Sequence, residues 1–133
     1  MPDLESAQRL LAAASRDLHA IGNMLDPNRF PDEVFGFLAQ QAMKKNLKAW
    51  LALRGKEIPR THNLRFLIIL LEQAGAPVPQ EWKLLDLTAF AVQFRYESCE
   101  PMDACLDRAT ILKQITDLFS WTTTLLSSTE PQD

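Results

Sequence analysis

The sequence predicts an all-α fold, an antiparallel, up-and-down bundle of about five helices around one core. Apolar residues recur at alternating spacings of three and four in each long segment, a pattern that lines one face of a helix and cannot line a strand. No segment alternates apolar and polar residues with a period of two, and Pro and Gly separate the segments by short loops. With 133 residues, 47% of them hydrophobic, the chain can form one core without disulfides or metal.

The first helix is predicted over residues 3–25, and Asp26-Pro27-Asn28 ends it. Its apolar face is formed by Leu4, Ala7, Leu11, Ala14, Leu18, Ile21 and Leu25. The second helix opens at Phe30-Pro31-Asp32-Glu33, where proline and two acids suit a first turn, and runs to about Leu53.

Two faces are predicted for the second helix. Its apolar stripe, which Asn46 interrupts, is formed by Phe35, Leu38, Ala42, Ala49 and Leu53. Lys44, Lys45 and Lys48 are expected on the opposite side, as an exposed basic face. Gly55 and Pro59 then supply a helix stop and a turn.

The third helix is predicted from Thr61 or Asn63, either of which could cap it, to Ala74-Gly75. Residues 64–71 leave little polar face, so we expect this to be the central helix, covered by the bundle or by a second subunit.

Two further helices complete the predicted bundle. The fourth starts at residues 77–81 and ends near Tyr96 or Glu97, and the fifth runs from Pro101 to about Leu126. We therefore expect a single helical-bundle domain over residues 1–126 and a frayed C-terminal tail over residues 127–133.

Positive charge is concentrated in one part of the chain. Residues 44–65 contain seven lysines and arginines against Glu57, a balance of +6, whereas the net charge of the whole chain is -3. The remaining residues therefore carry -9. Such an uneven distribution favours a local anionic partner.

Several short motifs lie on these predicted elements in a specific order. They are Gln41-Ala42, Lys45, Leu47-Lys48-Ala49, Thr61-His62-Asn63-Leu64 and, near the end of the predicted fourth helix, Arg95-Tyr96. Together they resemble the prokaryotic HEPN domain family, and the resemblance extends over roughly residues 5–120 in helix order. It implies a HEPN-like bundle. Lys44, Asn63 and Glu97 depart from the family pattern, in which an acid, an aspartate and a proline are usual.

The resemblance also implies a function. Members closest to this pattern resemble partners of small nucleotidyltransferases and are linked with nucleotide binding and toxin–antitoxin behaviour. It therefore implies a protein that binds a nucleotide or RNA phosphate through a basic helix–loop surface and acts with a nucleotidyltransferase partner in a toxin–antitoxin-like pair. The resemblance implies that ribonuclease members carry an arginine followed about four to six residues later by a histidine. Here Arg54 precedes His62 by eight positions and Arg60 by two, so that spacing is absent.

The predicted nucleotide- or anion-binding residues are Lys45, Lys48, Arg60, His62 and Arg95. Neighbouring cations focus positive potential on phosphate oxygens, and an arginine beside a tyrosine combines a cation with a ring that stacks on a base. His62 is also a candidate for proton transfer, because imidazole titrates near neutral pH. A solvated basic face, a His62 that holds the loop, and an arginine–tyrosine pair that closes a helix end remain the structural alternatives.

Two other functions stay open, and with them the question of whether the protein is an enzyme. One is a metal-independent ribonuclease, in which His62 with Arg60 or Arg54 from two subunits assists attack by the ribose 2′-hydroxyl. The other is a non-catalytic interaction module, in which the third helix and three tryptophans form a seam. For the leading interpretation we expect a homodimer.

The remaining chemistry is expected to be simple. The sequence has no glycine-rich phosphate loop, nucleophile elbow, paired catalytic carboxylates or zinc-ligand spacing, so we expect no cofactor and no metal. Cys99 and Cys105 have no nearby histidine and are expected to be reduced thiols. An acidic N-terminus and the lack of an apolar stretch of about 20 residues predict a cytoplasmic protein without a membrane span.

Overall fold

The computed structural model describes residues 1–84 and 107–129, which form helices and no strands. The helices are α1 (Leu4–Gly22), α2 (Asp32–Leu53), α3 (Leu64–Gln73), α4 (Gln80–Leu84) and α5 (Arg108–Thr129). The predicted all-α bundle is confirmed. The expected end of the fourth helix near Tyr96, the expected start of the fifth at Pro101, and both cysteines lie outside the described residues. No helix in the described ranges has the length and apolar character to cross a bilayer.

The two ends of α1 are fixed by side chains of the chain itself. The Asp3 carboxylate accepts a hydrogen bond from the Ser6 backbone N–H at 3.0 Å, as an N-cap residue does. At the other end, the side-chain amide of Asn23 donates to the His19 carbonyl at 3.0 Å. The helix thus stops before Leu25, which is 42% exposed, so its predicted place on the apolar face was wrong.

The turn between α2 and α3 follows the predicted stop signals. Gly55 has φ +73°, a left-handed conformation that favours glycine, and the Lys56 N–H returns to the Leu51 carbonyl at 3.0 Å. Asn63 caps α3 by accepting from the Phe66 N–H at 3.1 Å. Gly75, at φ +83°, ends it. Both predicted boundaries of the third helix are confirmed.

The central helix is α2 and not α3. It packs against α1, α3 and α5, and between residues 39 and 53 only Gln41, Lys45 and Lys48 are partly exposed. The predicted exposed face of three lysines was therefore wrong for Lys44, which is 9% exposed, because α1 and the loop before α3 cover that side of α2. On α3, by contrast, Phe66 and Ile69 are exposed.

Contacts near the helix ends give the helix directions. The Asp3 N–H donates to the Ala52 carbonyl at 2.9 Å, so α1 begins where α2 ends and the two helices are antiparallel. Arg108, the first residue of α5, donates to the Phe30 carbonyl at 2.6 Å and pairs with Asp32 at 2.8 Å. Since Thr122 then lies beside Asn46, α5 runs in the same direction as α2.

Three tryptophans join α2, α4 and α5 inside the bundle. Trp50 meets Trp82 edge-on at 6.1 Å between ring centroids and Trp121 at 5.7 Å. Edge-to-face geometry places the positive ring edge against the negative ring face and adds to the stabilisation from burial. Trp50 and Trp82 are buried, whereas Trp121 is 37% exposed. The tryptophans thus serve core packing, with one ring reaching the surface.

Candidate anion-binding site

The candidate site is built on the side of α2 that faces the loop before α3. Lys44 and Lys48 are four residues apart, so their side chains leave the helix on the same face, one turn from each other. Lys45 is rotated away from them towards α1. His62 comes from the loop and lies over Lys44.

The contact between Lys44 and His62 indicates which ring nitrogen carries the proton while Lys44 is charged. The Nζ atom of Lys44 lies 3.2 Å from Nδ1 of His62. An ammonium group has donors and no lone pair, so protonated Lys44 donates, and Nδ1 must accept. His62 is then neutral and carries its proton on Nε2, which remains available to donate a hydrogen bond to an anion.

His62 is held in this position through its own backbone. The buried side chain of Gln40 donates from Nε2 to the His62 carbonyl at 2.9 Å, and Gln41 donates to Oε1 of Gln40 at 3.1 Å. One residue later, the Asn63 N–H donates to the Thr61 hydroxyl at 3.1 Å, immediately before α3 begins. The loop is therefore fixed to α2 independently of the imidazole ring.

Burial and like charges act together on these groups. Burial, followed by the charges of Lys48 and Lys45, lowers the pKa of Lys44, and Asp17 opposes this effect. Burial also lowers the pKa of Lys48. The pKa of His62 is lowered chiefly by the charge of Lys44, with smaller contributions from burial and from Lys48. The shift of Lys48 thus reflects burial alone, whereas those of Lys44 and His62 also reflect repulsion by neighbouring lysines.

A groove continues the site from Lys48 towards α1. It has a volume of about 320 Å³ and is lined by Ser6, Arg9, Leu10, Lys48 and Ile58. Arg9 thus brings a further cation from another helix to the same groove, where its guanidinium donates to the Ser6 hydroxyl at 3.3 Å. A larger pocket of about 510 Å³ lies between the end of α2 and α3, and none of the predicted site residues lines it.

The structure does not gather all of the predicted site residues. Lys45 forms an ion pair with Asp17 on α1 at 2.6 Å, with both side chains largely covered. Arg60 is exposed and forms no hydrogen bond or ion pair within the described ranges. Arg95 lies outside the described residues. Of the five predicted residues, Lys48 and His62 are brought together.

Two cations at this candidate site were not among the predicted site residues. Lys44 was placed on an exposed face and left out of the predicted site, although its spacing of four from Lys48 was a usable signal. Arg9 carried no such signal, because only the packing of α1 on α2 brings it to the groove. Chemically, the site offers ammonium groups and an imidazole N–H to an anion, beside the apolar side chains of Leu10 and Ile58.

Comparison with protein families identifies the same family that the sequence motifs resemble. A sequence model of the HEPN domain matches residues 7–121, which is most of the chain. The chain belongs to the HEPN domain family. Neither the search of curated proteins nor that of solved structures found a match. The predicted membership is thus confirmed for this HEPN protein, while its assignment to the nucleotidyltransferase-associated type stays a prediction.

Proposed function

We propose that this HEPN protein binds a phosphate-bearing ligand, a nucleotide or an RNA phosphate, at the surface formed by Lys44, Lys48 and His62. One observation carries the proposal. The two lysines share one face of α2, the imidazole lies against the first of them, and within the described ranges no carboxylate forms an ion pair with either lysine. An anion placed there gains charge-assisted hydrogen bonds from groups that already repel one another.

Other lysines of the described ranges differ from Lys44 and Lys48 because they form ion pairs. Lys45, Lys83 and Lys113 each pair with a carboxylate, at 2.6, 2.6 and 2.9 Å respectively. A lysine paired in this way has to give up its partner before it binds phosphate, whereas Lys44 and Lys48 do not. We therefore move Lys45 from the centre of the proposed site to its edge. Arg60 and Arg95 remain proposed contacts for a ligand longer than a single phosphate.

The groove beside Lys48 fits the remainder of such a ligand. Leu10 and Ile58 supply apolar surface for a ribose or base, and Arg9 supplies a second charged contact. A ligand that carries phosphate next to an apolar ring would use both parts of the surface. This favours a nucleotide or a nucleic-acid strand over inorganic phosphate alone.

The test is the salt dependence of binding to a short single-stranded RNA, measured by fluorescence anisotropy. Each lysine that neutralises a phosphate contributes about 0.7 to the slope of log K against log salt. Lys48→Ala is expected to reduce both the affinity and the slope. Lys113→Ala removes the same charge from α5, where Lys113 is paired with Asp117, and is expected to change neither. Equal effects of the two variants would contradict the proposal.

Two partner proposals accompany this function. The first is a nucleotidyltransferase that acts with this protein in a toxin–antitoxin-like pair, which rests on the family resemblance. Co-purification from the native cell, with the partner identified by mass spectrometry, tests it. The second is a homodimer, supported by the side chains of Phe66 and Ile69, which are 43% and 44% exposed and lie three residues apart on α3.

A further inference from the structure

Lys44 differs from the other lysines of the described ranges in its surroundings. Lys45, Lys83 and Lys113 are paired with carboxylates, Lys56 is exposed, and Lys48 lines the groove. Lys44 is buried, and its amine reaches the ring of His62, an exposed residue. The amine of this buried lysine thus contacts the ring of a residue that is itself exposed to solvent.

We infer that Lys44 is a nucleophilic amine, at which an acyl phosphate transfers its acyl group, with His62 as the proton acceptor. The inference goes beyond ligand binding, although the proposed anion site supplies one part of it. Lys48 and Nε2–H of His62 would hold the phosphate of the acyl donor, which places the carbonyl carbon beside the Lys44 amine.

The geometry supplies what an attacking amine needs. A lysine becomes nucleophilic when burial and neighbouring cations favour its neutral form, and the pKa of Lys44 is lowered by these two causes. The charged groups around it are Lys45 and Lys48 on α2, Asp17 on α1 and His62 on the loop. Asp17 is already engaged by Lys45 at 2.6 Å. The one carboxylate acting on Lys44 is therefore largely neutralised by another lysine.

His62 is placed to complete the reaction. In the free amine one N–H of Lys44 still points to Nδ1 of His62, whose lone pair is available. As the nitrogen attacks the carbonyl carbon, the C–N bond forms, and the bond from carbon to the phosphate oxygen breaks with its electron pair leaving on phosphate. The proton lost by nitrogen passes to Nδ1. The products are an amide on Lys44 and inorganic phosphate, and no oxidant or reductant takes part.

Acylation would also regulate the proposed binding site. It removes the positive charge of Lys44 and converts a donor of three hydrogen bonds into an amide with one N–H. A phosphate ligand would lose a principal contact, so the acylated protein is expected to bind anions more weakly. Acylation of Lys44 thus inhibits anion binding at the site.

The experiment compares acetylation rates of individual lysines in the full chain, measured by peptide mass spectrometry after brief exposure to a reagent. Acetyl phosphate and a neutral N-hydroxysuccinimide ester of acetate are used in parallel near neutral pH. Lys56 is the internal reference, and Lys113, whose pKa is raised by Asp117, is the protected control. Lys44 is expected to react severalfold faster than Lys56 with both reagents, and the ratio is expected to be larger with acetyl phosphate.

His62→Gln separates proton transfer from structure. Glutamine can accept a hydrogen bond but does not take up a proton, and the backbone carbonyl that Gln40 holds is retained. Circular dichroism checks that helicity is unchanged. The variant is expected to slow acetylation of Lys44 severalfold relative to Lys56.

Each outcome bears on a different part of the inference. If the neutral ester acetylates Lys44 no faster than Lys56, the inference is overturned, and this holds whether or not the protein binds anions. An unchanged Lys44 rate in His62→Gln would overturn the role of the imidazole. A fast reaction with the neutral ester and no added preference for acetyl phosphate would count against the proposed anion site and leave the nucleophile in place.

Discussion

The amine of Lys44 and Nδ1 of His62 lie 3.2 Å apart, although the two residues come from a central helix and from a loop 18 positions later. This contact joins a covered cation to a neutral imidazole and leaves the imidazole N–H directed away from the lysine. It also explains why the loop before α3 belongs to the site, since the same residue offers its carbonyl to Gln40.

The first prediction concerns the titration of His62. Its pKa is expected to lie below the ordinary value, chiefly because protonation would place a second charge beside Lys44. As pH falls below about 6.5, the unfolded chain takes up this proton first, so the folded state loses stability until His62 itself is protonated. Lys44→Met, which keeps the stem and removes the charge, should raise the pKa. NMR of the imidazole signals measures both values, and a lower pKa in the variant would contradict the assignment.

The second prediction separates Lys45 from its two neighbours. Because Lys45 is paired with Asp17, Lys45→Ala should lower the free energy of unfolding by about 1 kcal/mol and change anion affinity less than Lys48→Ala does. Denaturant unfolding and anisotropy measure the two quantities in parallel. Asp17→Asn is the companion variant, expected to reproduce the loss of stability. If Lys45→Ala instead abolished binding and left stability intact, Lys45 would belong at the centre of the site.

The third prediction tests the polar contact inside the bundle. The Thr122 hydroxyl donates to Oδ1 of Asn46 at 2.8 Å, and both side chains are buried. Thr122→Val leaves the Asn46 oxygen without a donor and should destabilise the protein by about 1–3 kcal/mol. Thr116→Val is the matched control on the same helix, because the exposed Thr116 hydroxyl bonds only its own helix at Leu112. Thermal or urea unfolding should show a larger loss of stability for Thr122→Val than for Thr116→Val. Equal stabilities of the two variants would contradict the assigned contact.

The fourth prediction concerns self-association through α3. Phe66→Glu adds charge to an exposed apolar position and should shift the protein from dimer to monomer, whereas Gln73→Glu adds the same charge at an exposed polar position of the same helix and should leave the dimer intact. Size-exclusion chromatography with light scattering gives the mass of each species. A wild-type protein that is monomeric at high concentration would rule out the proposed homodimer.

Most helix limits could be predicted because they depend on local chemistry. Asn63, Gly55 and Gly75 each act within one turn of the chain, through a cap or a left-handed backbone, and the structure places all three as expected. The prediction that Leu25 lies on the apolar face of the first helix was wrong, also for a local reason. Its spacing continues the helix pattern, but the Asn23 side chain satisfies the His19 carbonyl and ends the helix first.

What the sequence could not provide was the environment of each charged group. Helical spacing placed Lys44 away from the predicted stripe, but α2 is covered on nearly every side by three other helices, which spacing within one helix does not reveal. The partners of Lys44 and Lys45 come from a loop and from α1, at separations of 18 and 28 residues. Packing between elements therefore decided which lysine is neutralised and which is not.

The most direct test of the anion site is the pKa of His62 with and without ligand, followed by NMR as adenosine monophosphate or a short RNA is added. A phosphate held by Lys44, Lys48 and the imidazole N–H favours the imidazolium, so the pKa should rise on binding, and affinity should increase as pH falls through the titration range. A ligand that saturates the protein while the His62 titration stays unchanged would show that binding occurs elsewhere and would contradict the proposed site.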